Sequence, residues 1–264
     1  MKRWGIAVKI VVTISALALV GIIVSTLVTV GVTSHAVMQI QKQNASERLA
    51  GNVRLARAVF DARYPGPWHL VPAGPNDPPI EIFNGNGRLD RYHERATLPA
   101  NLYKGPIKIL DNPEVEQALV ELDSATGVEL TIAQRIPSAA SSDSTVGAAP
   151  DGRALRVATT VTRTGADGAP ERQLLTIMPT RNVKTGALAG AGAAFATNNT
   201  FDGLATVAGQ DRWTRYEPIT GPDGNVIGIF YGGLAMAPFA ARAHETSTTV
   251  GRNALLYGLL SLVI

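Results

Sequence analysis

A chain of 264 residues with a formal net charge of +3 has the length for one or two domains and lacks the basic excess of a nucleic-acid binder. Its basic residues are scattered, as on a solvated surface. It contains no cysteine, which excludes disulfides and thiolate metal sites.

Residues 1–9 carry Lys2, Arg3 and Lys9, and residues 10–33 contain no charged residue and no proline. An apolar run of about 20 residues crosses a bilayer, whereas the apolar core of a cleaved signal peptide spans about 7–15. The expectation is a cytoplasmic stub (1–9) and a retained transmembrane helix (10–33), with a cleaved signal as the alternative. The basic flank stays in the cytoplasm, so everything from Ser34 onward lies outside.

Residues 34–64 read as a long helix. Leu49, Val53, Ala56 and Phe60 recur at spacings of three and four and form an apolar stripe. That stripe suits a helix packed on its own domain, or one that also pairs with a second subunit; it is too short to specify a coiled coil. Pro65-Gly66-Pro67 ends the helix.

Residues 65–86, rich in Pro, Gly and Asn, read as loop with a short strand at 80–83, followed by a turn at 84–87. Residues 102–110 suit a strand. Asp111 or Asn112 caps a short helix with Pro113 in its first turn; it continues through Val115, Leu119 and Leu122 and stops near Gly127. Residues 128–133 form a strand, and 137–152, rich in Ser, Ala and Gly, an exposed loop. Residues 155–164 alternate, with Val157, Thr159 and Val161 on one side and Arg156, Ala158 and Thr160 on the other. A turn at 164–170, a strand at 172–178, a small-residue helix at 186–197 and a lead-in at 198–207 follow.

Residues 211–233 read as two strands and a turn. The first run mixes Trp213, Thr214, Tyr216 and Ile219 with charged residues; the second, from Val226 to Tyr231, is almost wholly apolar. Gly221-Pro222-Asp223-Gly224-Asn225 supplies the turn, and Pro218 marks a strand edge or end. Residues 65–236 thus form one α+β domain, a meander of strands with short helices inserted and no internal repeat. A helix resumes over 237–252. Residues 253–264 are uncharged, apolar and too few to cross a bilayer, which suggests a second transmembrane helix cut short and a chain that is a fragment. A buried C-terminal helix of a complete protein is the rival reading.

Several of these stretches together carry a resemblance. Residues 209–219 (GQDRWTRYEPI), then Asp223-Gly224, then residues 226–233 (VIGIFYGG) resemble the closing hairpin of extracytoplasmic single-Cache sensor domains, of the Cache 3/Cache 2-like type. Such domains occur in bacterial methyl-accepting chemotaxis receptors and sensor kinases. Leu102-Tyr103-Lys104-Gly105, Asp111-Asn112-Pro113-Glu114, residues 126–132 (TGVELTI) and residues 156–161 (RVATTV) fall in the family's order, and the resemblance covers about 56–233. It implies a PAS-like fold, an antiparallel sheet with flanking helices. It also implies a sensor domain in the periplasm or outside the cell, anchored in the inner membrane, homodimeric through its first helix and binding a small molecule. The output is that of a chemotaxis receptor, with a histidine kinase, a cyclic-dinucleotide enzyme or an envelope binding protein without signalling output as alternatives.

No catalytic motif appears. His35, His69, His93 and His244 lack metal-ligand spacing, and no nucleophile elbow, Walker loop or zinc motif is present. The expectation is a non-enzymatic binding domain without metal or cofactor. Alternation places Arg212, Thr214 and Tyr216 on one strand face. In the family that face lines the ligand pocket with Tyr, Thr and Tyr; Thr214 and Tyr216 match, and Arg212 replaces a Tyr. A guanidinium facing a pocket favours a carboxylate through paired charge-assisted hydrogen bonds. Arg156 with Thr160 is the second candidate pair.

Overall fold

The computed structural model describes residues 5–84, 93–136, 152–165, 168–178, 180, 187–188, 190–236, 248–249, 252–253 and 256. Most of the expected turn at 84–87, the loop at 137–152, the helix at 237–252 and the run at 253–264 lies outside them. The chain divides into two compact units, residues 1–44 with 237–264, and residues 45–236.

Most of the described part of the first unit is the beginning of helix α1 (Ile6–Arg63), on which Ile14, Leu17, Val20, Ile23, Val24, Val28 and Val32 are exposed. Many side chains there are outside the described set, and among the described residues no helix is long and apolar enough to cross a membrane.

The second unit is built on an eight-stranded sheet. Its strands in spatial order are β11 (Phe201–Val207), β12 (Gln210–Thr220), β13 (Val226–Ala235), β6 (Glu129–Ile136), β7 (Arg153–Thr159), β10 (Thr176–Met178), β2 (Ile80–Asn84) and β3 (His93–Ala96). All neighbours are antiparallel except β10 and β2. Smaller ladders join β1 (Trp68–Pro72), β4 (Ala100–Lys104) and β5 (Ile107–Lys108), and β8 (Thr162–Thr164) with β9 (Pro170–Arg172). Helices α2 (Pro113–Thr126) and α3 (Ala191–Thr197) complete the α+β fold.

The hairpin β12–β13 forms where its local chemistry places it. Gly221 donates to the carbonyl of Asn225 (2.9 Å), and the Asp223 carboxylate accepts from the Asn225 amide (3.1 Å). Pro218 lies beyond Tyr216, the last β12 residue that pairs with β11, so there only the β13 side of the strand carries a ladder. Helix α2 starts on Asn112, whose side-chain oxygen accepts from the amides of Glu114 and Val115, and ends at Gly127 in the left-handed region.

Five readings from local pattern differ. The run 102–110 is two strands, β4 and β5, that turn back on each other, with Lys104 paired to Ile107. The run 155–164 splits into β7 and β8, and 172–178 into the end of β9 and β10. Within the Pro/Gly-rich 65–86, β1 also forms, held by β4. The small-residue helix begins only at Ala191.

Alternation divides the sheet into two faces. One receives the second part of α1 and α2. Ala45, Leu49, Val53, Ala56 and Phe60 are buried along α1, and Phe60 meets Phe230 (6.1 Å between centroids), Tyr64 (4.8 Å) and Trp68 (5.9 Å, stacked). The helix comes so near β13 that a Cβ on Gly232 would lie 2.2 Å from Val53 Cγ2. Val115, Ala118 and Leu119 of α2 add to this layer. The opposite face receives α3, whose Ala191, Ala194 and Phe195 cluster with Ala133, Met178, Tyr216, Ile229 and Tyr231.

Candidate functional site

The α3-side face carries several of the domain's buried polar groups, among them Thr131, Arg156, Thr159, Arg212 and Thr214. Pairing aligns Tyr216, Tyr231, Thr131 and Thr159 across four strands, and beside this row lies a second one made of Thr214, Gly233 and Glu129. Arg212, Thr214 and Tyr216 are all buried and share the face, as alternation along the strand requires.

The Arg212 guanidinium is taken up by the chain itself. Its Nε and Nη2 donate to the two oxygens of Glu129 (2.9 Å for Nη2 to Oε1), and its Nη1 donates to the carbonyl of Val207 at the end of β11. Burial opposes its charge, but the Glu129 hydrogen bond and charge outweigh that, so its pKa is raised. The carboxylate that a pocket-facing arginine calls for is thus an internal one, 83 residues away in sequence. Thr214 donates to the Gly203 carbonyl (2.8 Å).

Arg156 is different. It is 1% exposed, its Nη1 donates to the Thr176 hydroxyl (2.6 Å), and its Nε has no partner. Among the described residues no carboxylate pairs with it. Burial pushes its pKa down; Tyr231 and Tyr216 offset this, Arg212 adds to it and Glu129 opposes it. A buried polar group left unsatisfied costs about 1–3 kcal/mol, more when charged, so native proteins leave few of them.

A second orphan lies on the same face. The Tyr231 hydroxyl is buried without a partner. Its oxygen sits over Gly233, where a Cβ would come within 2.2 Å of it, so glycine there makes room for the ring. The Tyr216 ring packs on Tyr231 at 5.0 Å, and its hydroxyl end lies against the backbone of Gly190, where a Cβ would be 2.7 Å from Tyr216 Cζ. Burial pushes the Tyr216 hydroxyl up to about 12 despite Arg156 and a hydrogen bond with Thr214, and raises Tyr231 further. Both tyrosines therefore stay protonated at neutral pH and can donate.

Thr160 is not brought to Arg156. A register shift between Ile132 and Ala133, opposite Ala158 and Arg156, inserts an extra residue into β7 and breaks the alternation. Thr159 takes the place on the face and meets Thr131 (2.6 Å), while Thr160 accepts from the Leu130 amide (2.8 Å). Sequence reasoning also passed over Glu129 and Tyr231. Each had a signal: Glu129 is the one acid in its strand, directly before Leu130, and Tyr231 carries the one hydroxyl in a run of buried apolar residues.

Among the described residues no group of His, Cys, Asp and Glu could hold a metal ion. Chemically, the arrangement offers N–H and O–H donors and one unmatched positive charge, a set suited to holding an anion rather than to acid–base or nucleophilic chemistry. A search of curated proteins and one of solved structures found no match. The model of the Cache 3/Cache 2 fusion domain matches residues 29–254, most of the chain, and the protein therefore belongs to that family of ligand-sensing domains, which are typically extracytoplasmic.

Proposed function

We propose that this chain is the sensing region of a bacterial transmembrane receptor, with methyl-accepting chemotaxis receptors the first output class to test, and that it binds a small anionic metabolite through Arg156. The observation that carries the reading is the buried Arg156 Nε without an acceptor, on the same face as the partnerless Tyr231 hydroxyl. A ligand carboxylate or similar anion would accept from both and supply the missing charge. Tyr216 packs its ring on Tyr231. Arg212 contributes through Glu129, and Thr160 has no part in ligand contact.

In this reading residues 10–33 anchor the chain in the inner membrane, the domain lies outside the cytoplasm, and α1 pairs with a second copy. Exposed Leu55 and Val59, one turn apart on α1, support that pairing. A ligand acts by its different affinity for two arrangements of the hairpin, whose strand β13 leads in sequence to residue 237.

The test is thermal unfolding of the 264-residue chain, reconstituted in lipid nanodiscs, against a panel of carboxylates, amino acids and purines. A compound that binds only the folded state raises the melting temperature by mass action. The expected result is a shift with a carboxylate that disappears in Arg156→Met, with the folded circular-dichroism spectrum kept. A shift that survives Arg156→Met places the ligand elsewhere and overturns the assignment.

A further inference from the structure

The charges around this face determine more than the sign of the ligand. Among the described residues the buried cations are Lys104, Arg156 and Arg212. Lys104 pairs with Asp61 at 2.8 Å, away from this face. Arg212 pairs with Glu129 through both carboxylate oxygens. Arg135, further along β6, lies over the Phe195 ring at 5.1 Å and donates to the Val226 carbonyl. Arg156 alone among the three buried cations faces no carboxylate.

Glu129 is close enough to matter. It and Ala133, the residue across from Arg156, lie on the same face of β6, and at about 3.3 Å per residue their Cα atoms are some 13 Å apart. The charges of both Glu129 and Arg212 are felt at Arg156. Between Arg212 and Glu129 lies Gly233, which has no side chain to separate them.

We propose that Glu129 determines the charge of the ligand: by neutralising Arg212 it leaves a single unmatched positive charge at Arg156, so the site takes a singly charged anion and rejects a doubly charged one. This rests on Arg156 as the anion anchor. The second carboxylate of a dianion would find Arg212 already held from two sides and would stand beside the negative Glu129. Juxtaposed like charges out of water are a strong barrier, and such repulsion is how binding sites exclude near-identical partners. Removing the Glu129 charge frees Arg212 and reverses the rule, because two cations then face the ligand. Removing Glu129 and Arg212 together restores a single cation and, with it, the original preference.

Three dicarboxylates and their monoamides separate charge from size: malonate, succinate and glutarate against malonamate, succinamate and glutaramate, at a pH where every carboxyl is ionised. Dissociation constants are measured by calorimetry on the full chain. For the chain length that fits, the unaltered protein is expected to bind the monoamide at least tenfold more tightly than the dicarboxylate. Glu129→Gln should move that ratio at least tenfold toward the dicarboxylate, and Glu129→Gln with Arg212→Gln should return it, which a merely structural role for the pair would not do. Arg156→Met should abolish binding of both partners in every background. Equal or tighter binding of the dicarboxylate by the unaltered protein overturns the inference whether or not the variants fold, as does a ratio that Glu129→Gln leaves unmoved. If Arg156→Met binds normally, the anchor fails first and the charge rule with it. Should none of the six probes bind the unaltered protein, both are rejected.

Discussion

The two faces of the central sheet solve opposite problems. On the side of α1 and α2, buried apolar groups meet one another: Phe60 has aromatic neighbours on three sides, and Gly232 lets Val53 reach the backbone. Charged groups there sit at the border and are paired, as Arg57 is with Glu217 at 3.1 Å. On the side of α3, fully buried residues include an arginine and a tyrosine with unused donors. A protein that sought stability alone would fill that side as it fills the other. In the reading proposed above, the contrast separates a face that holds the fold, where the Trp68 Nε1 donor is also unpartnered, from one that takes up an anion.

The largest effect should come from breaking the first face. Phe60→Ala removes a ring that is 0% exposed and contacts three aromatic rings, and truncations of this kind cost about 3–5 kcal/mol. Chemical denaturation would read this as a lower midpoint with an unchanged slope. A cost under about 1 kcal/mol would mean that α1 is not part of the core, and the comparison would lose one side.

The second face should respond in the opposite sense. Tyr231→Phe deletes a buried hydroxyl that has no partner and leaves the ring in place. Without ligand the variant is expected to be as stable as the unaltered protein or more stable by up to about 1 kcal/mol, because an unsatisfied buried group is removed. Its affinity for a bound carboxylate should fall about tenfold. A loss of stability together with unchanged affinity would make the hydroxyl structural and erase the difference between the faces.

How much of this was legible beforehand follows the range of the physics. The hairpin β12–β13, the capped helix α2 and the stripe on α1 rest on neighbours within a few residues, and local pattern sufficed for them. Strand β1 was hidden because its partner β4 lies about thirty residues on and its own stretch is full of turn formers. The face shared by Arg212, Thr214 and Tyr216 was readable, since β12 stays regular there; the pairing of Arg156 with Thr160 failed because the bulge in β7 is set by its registration on β6. That Arg212 is already matched could not be seen, because Glu129 reaches it only once β13 lies between them.

The smallest effect tests the border of the packed face. Asp123 on α2 is raised above the ordinary aspartate value, first by burial and then by the charge of Glu129, with its hydrogen bond to Thr160 pulling the other way. An unfolded aspartate titrates near 3.9. Between that value and the higher folded one, the folded chain keeps a proton that the unfolded chain has released, so stability is full below the window and declines as pH rises through it. At neutral pH the folded state carries the whole penalty. Asp123→Asn keeps a side chain able to bond Thr160 and removes the titration. Its melting temperature at neutral pH should therefore be slightly higher than that of the unaltered protein, and the decline with pH over this window should be smaller. A lower melting temperature at neutral pH would mean that the ionised carboxylate is held by Thr160 more strongly than burial opposes it. The α2 border would then resemble the polar face across the sheet more than the apolar layer it adjoins.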